Sequence, residues 1–267
     1  MVGQSREGSV KNNQLLAYFG HHKCATVWIH SILTEVCRDL SLKLEYVHSH
    51  NQFNGDLESF VKENDLDFIT YANANMDYVA KLKNFKGFHV IRDPRDIAVS
   101  SYFSHLHSHP TDGWRLLAEH REKLQKASKQ EGLFLDINFI NDGVYKVLER
   151  WNYHLPHILE IKMEELTREP SKKFVEIFGF LGIIAKGFTV SSRNRISIKK
   201  LEKILEKKSF STLSGGRKKG QENAGHHFRK GIAGDWANHF TEEHKKYFKE
   251  KYNDLLIKLG YEKNSDW

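Results

Sequence analysis

The stretch GHHKCATVWIH, residues 20 to 30, sets a glycine, two histidines, a lysine and a threonine between the apolar run LLAYF and an apolar stripe through SILTEVC. Three readings fit those residue types. A turn that feeds a helix offers unpaired backbone N–H groups and the positive end of the helix dipole, a ready anion site; Lys23 would add a point charge and Thr26 a hydroxyl. His21, His22 and Cys24 are zinc ligands by type, but adjacent histidines point apart on an extended chain and no CxxC or HExxH partner accompanies them. An ordinary polar loop is the third reading. A Walker loop is a poor match, because Lys23 follows Gly20 by only three residues and no second glycine precedes it.

A second junction, FHVIRDPRDIAVSSYFSH, ends an apolar run in Arg92 and starts a helix at Asp93-Pro94, good start signals both. Ser100 follows Arg92 by eight residues, a little over two helical turns, so both can meet one anionic group. The structural alternative is that Arg92 or Arg95 pairs with Asp93 or Asp96 across the helix start. With 16 histidines in the chain, clusters such as HSH at 48 to 50 and HLHSH at 105 to 109 arise readily by composition, and no metal is expected.

The elements that must position these groups alternate. Apolar runs at 15–20, 43–47, 67–70, 87–92 and 157–163 read as strands, and helix patterns cover 26–40, 56–63, 76–83, 94–105, 113–130 and 141–155. Such alternation predicts a parallel sheet covered on both faces. After TREP the chain reads as helical at 171–182, 194–208 and 241–259. In open sheets of this kind ligands bind at the carboxyl ends of strands, which singles out the turns after 15–20 and after 87–92. A glycine-rich, charged stretch at 209–236 with little periodicity is long for a loop and is expected to be functional or mobile.

Composition sets the bounds. The 267 residues, 39% hydrophobic and 28% charged, describe one ordinary globular domain with a sizeable core. Residues 1–14 are polar and read as a flexible terminus without a secretory signal; no run is long enough for a membrane span, and Cys24 and Cys37 cannot make a disulfide framework. A cytoplasmic address follows. The net charge of +7 suits a polyanionic ligand, a nucleic acid or an acidic membrane face, although much of it lies in IKKLEKILEKK and EEHKKYFKEKY, where acids and bases interleave as on solvated helices. No nucleic-acid-binding motif is present, so none is expected as partner.

Three segments together, HKCATVW, VIRDPRDIAVSSYF and FRKGIAGDWANHFT, resemble the signature segments of the cytosolic-type sulfotransferases, in the family's order and over residues 15 to 260. The resemblance implies a single P-loop-like α/β domain with a parallel sheet of about five strands flanked by helices. It implies transfer of a sulfuryl group from 3′-phosphoadenosine 5′-phosphosulfate (PAPS) to a hydroxyl or amine, releasing 3′-phosphoadenosine 5′-phosphate (PAP), without a metal. The family's phosphosulfate loop runs lysine, serine, glycine, threonine, threonine, tryptophan. Here Lys23, Cys24, Ala25, Thr26, Val27 and Trp28 stand in those places, so lysine, one threonine and tryptophan are kept.

By the same resemblance Lys23 stabilises the leaving oxygen, Thr26 and backbone N–H groups hold the 5′-phosphate, and Trp28 lies against the adenine. Arg92 and Ser100 match the family's 3′-phosphate ligands, and Arg229, Lys230 and Gly231 its late clamp, with 209–230 as a lid over the cofactor. Phe210, in KSFSTLSGG, matches a residue that stacks on adenine, while Met163 replaces a tyrosine at the adenine edge.

Many family members carry Lys-Thr-His after the third strand; FITYANAN here has neither lysine nor histidine. Related carbohydrate and tyrosyl-protein sulfotransferases use a glutamate after the first helix, and LEYVHSHNQF offers Glu45, His48 and His50 there. His48 or His50, at the carboxyl end of the 43–47 strand, is the expected base, since histidine's ordinary pKa suits that task; Tyr71, or no dedicated base, is the alternative. A small hydroxylated metabolite is the expected acceptor, with a sugar or glycolipid as rival, and a non-catalytic nucleotide-binding relative is the alternative to an enzyme. Nothing in the sequence decides between a monomer and a homo-oligomer.

Overall fold

The computed structural model describes residues 14–185 and 195–267. The flexible terminus expected at 1–14 therefore lies, Gln14 apart, outside the described residues, as does Asn194. Strands β1 (Leu15–Phe19), β2 (Leu44–Val47), β3 (Phe68–Tyr71), β4 (Phe85–Ile91) and β5 (Ile158–Lys162) form one sheet in the order β2-β3-β1-β4-β5. Every neighbouring pair is parallel.

β1 is central, and all its residues are buried. Alternate side chains serve opposite faces, as a pleated strand requires. Leu16 and Tyr18 join an apolar cluster with Phe88, Ile29 and Phe174, whereas Leu15, Ala17 and Phe19 join another with Ile69, Phe53 and Trp151. This two-sided burial is why the strand reads as a continuous apolar run rather than as an alternation.

The helices are α1 (Thr26–Leu40), α2 (Leu57–Glu63), α3 (Met76–Val79), α4 (Pro94–Phe103), α5 (Arg115–Lys126) and α6 (Lys129–Phe139). They continue as α7 (Lys146–Arg150), α8 (Met163–Arg168), α9 (Pro170–Leu181), α10 (Ile198–Lys207), α11 (Phe210–Leu213) and α12 (Glu242–Lys258). α1, α9 and α10 cover the Tyr18 face of the sheet through Ile29, Phe178 and Leu201, and α4, α6, α7 and α12 gather around Ile97, Ile137, Leu148 and Phe248.

Three helix expectations need correction, the one at 76–83 because it stops after the single turn of α3. The helix expected at 113–130 is broken at Ala127, because Ser128 and Glu131 form a capping box that starts α6 afresh. The helix expected at 141–155 keeps only α7 behind a wide π turn at Asn141–Tyr145, and Trp151 leaves it in extended conformation. A second π turn, Ser104–Ser108, follows α4 and carries His105. Such widened turns recur at functional sites.

Candidate active site

The loop from β1 to α1 carries the first group of expected site residues. Gly20 is required at its start: a Cβ there would lie 2.7 Å from both Thr26 Oγ1 and the Tyr18 hydroxyl oxygen. Thr26 can therefore fold back over the strand end, where its hydroxyl donates to the His21 carbonyl at 3.1 Å. Lys23 and Ala25 both take the left-handed conformation, with φ of 64° and 61°. Ala25 is the N-cap of α1 without a side-chain cap, so the N–H groups of the first turn depend on whatever enters the loop.

Arg92 leaves the end of β4 and donates from Nη1 to the Lys23 carbonyl at 3.0 Å, locking the first loop to the second junction. The structural alternative holds for Arg95, not for Arg92. Arg95 makes a two-pronged pair with Asp93 at 3.0 and 2.7 Å, reaches Glu262, and lies over the Trp236 and Trp267 rings. Asp96 accepts from the backbone N–H groups of Gly234 and Trp236 at 2.7 and 2.9 Å, so the RDPRD turn holds the late GDW segment in place.

That segment presents Arg229 and Lys230. Both pair with buried Asp235, at 2.5 and 2.6 Å, and Arg229 also reaches Glu222. Burial opposes ionisation of Asp235, but hydrogen bonds from Lys230, Asn238 and Arg229 outweigh it and hold the carboxyl well below its usual range. Gly231 has φ +69°, and a Cβ on it would sit 2.6 Å from the Phe210 ring. Glycine lets the backbone pass directly under that aromatic face.

These parts enclose one cavity of about 1120 Å³ at the carboxyl ends of the strands. Lys23, Ala25, Thr26, Val27, Trp28, Arg92 and Ser100 line it, as do Phe210, Arg229, Lys230, Gly231 and His48. Met163 lines it too, at the place the resemblance gave to an adenine-edge residue. Trp28 has a second role, donating from Nε1 to the Lys208 carbonyl at 2.8 Å and meeting Phe174 edge-on. Burial, with Arg92 and Arg229 facing it, pulls the Lys23 ammonium down to about 8.

Two expected residues are not brought to the cavity. Cys24 is fully buried in the apolar cluster with Ile91 and Ile97, and burial pushes its thiol up to about 12. Its backbone N–H is already taken by the His21 carbonyl at 3.1 Å. His50 is exposed and stacks on Tyr78, outside the lining. Of the alternatives, Tyr71 is buried against Phe53 and does not line the cavity.

A family model described as "Sulfotransferase domain" matches residues 14–260. The chain belongs to the sulfotransferase family. It is 30% identical over 181 residues to a guinea pig (Cavia porcellus) 3-beta-hydroxysteroid sulfotransferase, a match spanning 65% of this chain and 58% of that protein. It is 27% identical over 260 residues to the chimpanzee (Pan troglodytes) sulfotransferase 6B1, across 90% of this chain and 77% of that protein.

Among solved structures, mouse sulfotransferase SULT7A1 complexed with PAP matches with a TM-score of 0.61 at 18% identity, over 93% of this chain and 88% of that one. Retinol dehydratase in a complex with retinol and PAP matches with a TM-score of 0.55 at 17% identity, over 90% and 80%. At such identities the likeness shows the shared fold.

The cavity of this sulfotransferase is also lined by His21, His22, His109, Trp114, Phe139 and His227, none of which was assigned a part in the transfer from sequence. His21 is buried, with Nε2 at 2.7 Å from His89 Nε2, and His89 Nδ1 lies 2.6 Å from Glu160. Burial pushes Glu160 up to about 8, and burial holds both histidines well below their ordinary value, so this chain is neutral. His22 begins a second chain on the other side, through His105 to Asp136. The only available signal was the abundance of histidine, which does not say which ones meet.

Proposed function

We propose that this sulfotransferase takes its sulfuryl group from PAPS and delivers it to a hydroxyl of a small-molecule acceptor. The observation that carries the reading is convergence: Lys23, Arg92, Arg229 and Lys230, from three separate segments, line one cavity. A multiply charged anion fits such a site, and the residues suit this one. Ser100 adds a hydroxyl beside the cations, and the Gly231 backbone passes closely under the Phe210 ring, which together with Trp28 offers flat apolar faces for a purine.

PAPS would supply the activated sulfuryl group with a phosphate leaving group. Lys23 would balance charge that develops on the leaving side, where a preorganised cation in a water-poor site is most effective. Arg92, Ser100, Arg229 and Lys230 would hold the 3′-phosphate, and Thr26 with the first N–H groups of α1 the 5′-phosphate. The late loop, 209–230, would cover the cofactor. Trp114, Phe139, Ile140 and Val144 give the cavity lining an apolar part, which suits a hydroxylated molecule with an apolar body. One neighbour of the same fold, retinol dehydratase, is seen in complexes with retinol and with androsterone.

No described helix is long and apolar enough to cross a membrane, and buried free Cys24 and Cys37 suit the cytoplasm. The deciding measurement is a melting curve with PAP, followed by PAP release from PAPS across a panel of hydroxylated acceptors. PAP is expected to raise the melting temperature, and Lys23→Ala to weaken that shift without unfolding the protein. If neither PAP nor PAPS moves the curve, the reading fails.

A further inference from the structure

We propose that His22 is the base that takes the acceptor's proton, and that His105 and Asp136 position it and receive its charge. The inference rests on the sulfuryl-transfer reading but is drawn from hydrogen-bond geometry in this chain alone.

His22 lines the cavity immediately before Lys23, half-buried, with its ring stacked on His105 at 5.1 Å. Its Nε2 lies 3.1 Å from His105 Nε2. His105 is fully buried on the π turn after α4, and its Nδ1 lies 2.6 Å from Asp136 Oδ1. Asp136, on α6, is fully buried as well, and His120 Nε2 donates to the same oxygen at 3.0 Å. By donor type His105, His120 and Asp136 could hold zinc. However, ligands of one tetrahedral zinc at about 2.0 Å sit about 3.3 Å apart, and the 2.6 Å contact is a hydrogen bond.

These contacts fix the tautomers. A carboxylate only accepts, so His105 carries its proton on Nδ1 and offers a lone pair at Nε2. His22 must then donate from Nε2, which leaves the lone pair of its ring on Nδ1. The opposite arrangement would set a His105 lone pair against the Asp136 carboxylate at 2.6 Å. This is the tautomer of a proton acceptor, on a residue that lines the cavity.

The reaction step balances as follows. A bond forms between sulfur and the acceptor oxygen while the bond from sulfur to the 5′-phosphate oxygen breaks. The acceptor's proton passes to His22 Nδ1, and the bonding pair leaves with the phosphate, facing Lys23. The Nε2 proton of His22 can then move to His105 Nε2, which carries the positive charge away from Lys23 and sets it against Asp136. The charged and titratable groups facing His22 are Lys23 beside it, His105 behind, His109 on the following loop and His227 on the late loop. Burial first, then those neighbours, disfavours a protonated His22, so a base beside a lysine stays free.

The other candidates lack this arrangement. His48 is exposed, and its ring meets only Tyr46 among the described aromatics. His21 is backed by a carboxyl that burial keeps protonated, which orients it as a donor.

The test is imidazole 15N NMR on the full chain labelled at histidine, ligand-free and with PAP, alongside kinetics with PAPS and 2-naphthol as probe acceptor. His22 should show a bare Nδ1 and a protonated Nε2. His22→Gln should lower kcat about a hundredfold or more, with the PAP Kd changed less than about threefold. Asp136→Asn should scramble the tautomer and lower kcat with KM for PAPS unchanged, and Asp136→Glu should restore part of it. Should Asp136→Asn fail to fold, the wild-type tautomer and His22→Gln decide. A His22 protonated on Nδ1, or wild-type kcat in His22→Gln with PAP still bound, overturns the proposal. Absence of PAP binding to the wild type would instead count against the donor assignment, since the tautomer is read without ligand.

Discussion

Ala25 holds a left-handed backbone at φ 61° in the loop where related loops have glycine. An L-residue there costs roughly 1–2 kcal/mol, offset in part by the freedom that glycine would add to the unfolded chain, about 0.4–1 kcal/mol. Ala25→Gly should therefore stabilise the protein by about 0.5–1 kcal/mol, read as a higher urea midpoint at unchanged m-value. Lys23 makes a second prediction. Its ammonium is drawn down to about 8, and a bound anion favours its charged form. Below that pH the lysine is already protonated and PAP affinity should be flat. Above it binding must take up a proton, so the Kd should rise by up to about tenfold per pH unit. Calorimetry from neutral to alkaline pH checks this, and Lys23→Gln should bind more weakly but lose the dependence. Residue type and short spacing pointed to Lys23 and Arg92 as candidates among alternatives, and the RKG segment was singled out only by the family resemblance, because no local spacing ties it to the other two. The His22–His105 contact was not legible, since it joins residues 83 apart across two turns.

At the scale of elements, all five strands were readable because each is a short apolar run bounded by turn or helix signals. The break between α5 and α6 was also written in the chain, as the Ser-Lys-Gln-Glu capping box at 128–131, but periodicity through QKASKQEG hid it. Ser128→Ala should cost about 1 kcal/mol in unfolding free energy, and because α6 carries Asp136 it should also loosen the His105 contact. The sheet makes its own prediction. His89 on β4 and Glu160 on β5 are register partners and hydrogen-bonded at 2.6 Å. Burial raises the Glu160 carboxyl from 4.5 to about 8, so between those values the folded protein holds a proton that the unfolded chain has released. Stability from this group should fall as pH rises through that window, by about 1.4 kcal/mol per pH unit at most. Denaturation of Glu160→Gln should show a shallower slope than the wild type between those pH values; an unchanged slope would locate the effect elsewhere.

For the molecule as a whole, the four cations that line the cavity come from three places: the loop after β1, the end of β4 and a segment more than a hundred residues later. Within the late segment, one arginine ties several turns together. Arg217 donates to the carbonyls of Ser214, Gln221, Phe228 and Arg229, at 3.2, 2.8, 2.5 and 2.7 Å. The backbone adds Gly220 to Lys230 and Asn223 to Arg229, at 2.8 and 2.9 Å. Arg229 and Lys230 face Asp235 and Glu222, so a phosphate entering the cavity would compete with those carboxylates for the same donors. If the loop must open for the ligand to leave, PAP should suppress that opening by mass action. With PAP at a hundred times its Kd, trypsin cleavage at Arg217, Lys218, Lys219, Arg229 and Lys230 should slow by up to about a hundredfold, followed by mass spectrometry of the fragments. Arg217→Ala removes one of these sites but should speed cleavage at Lys218, Lys219, Arg229 and Lys230 in the free protein, weaken PAP and leave the sheet's melting temperature nearly unchanged, because its bonds are confined to the loop. Equal cleavage with and without PAP would mean that the loop opens independently of the ligand and does not cover it.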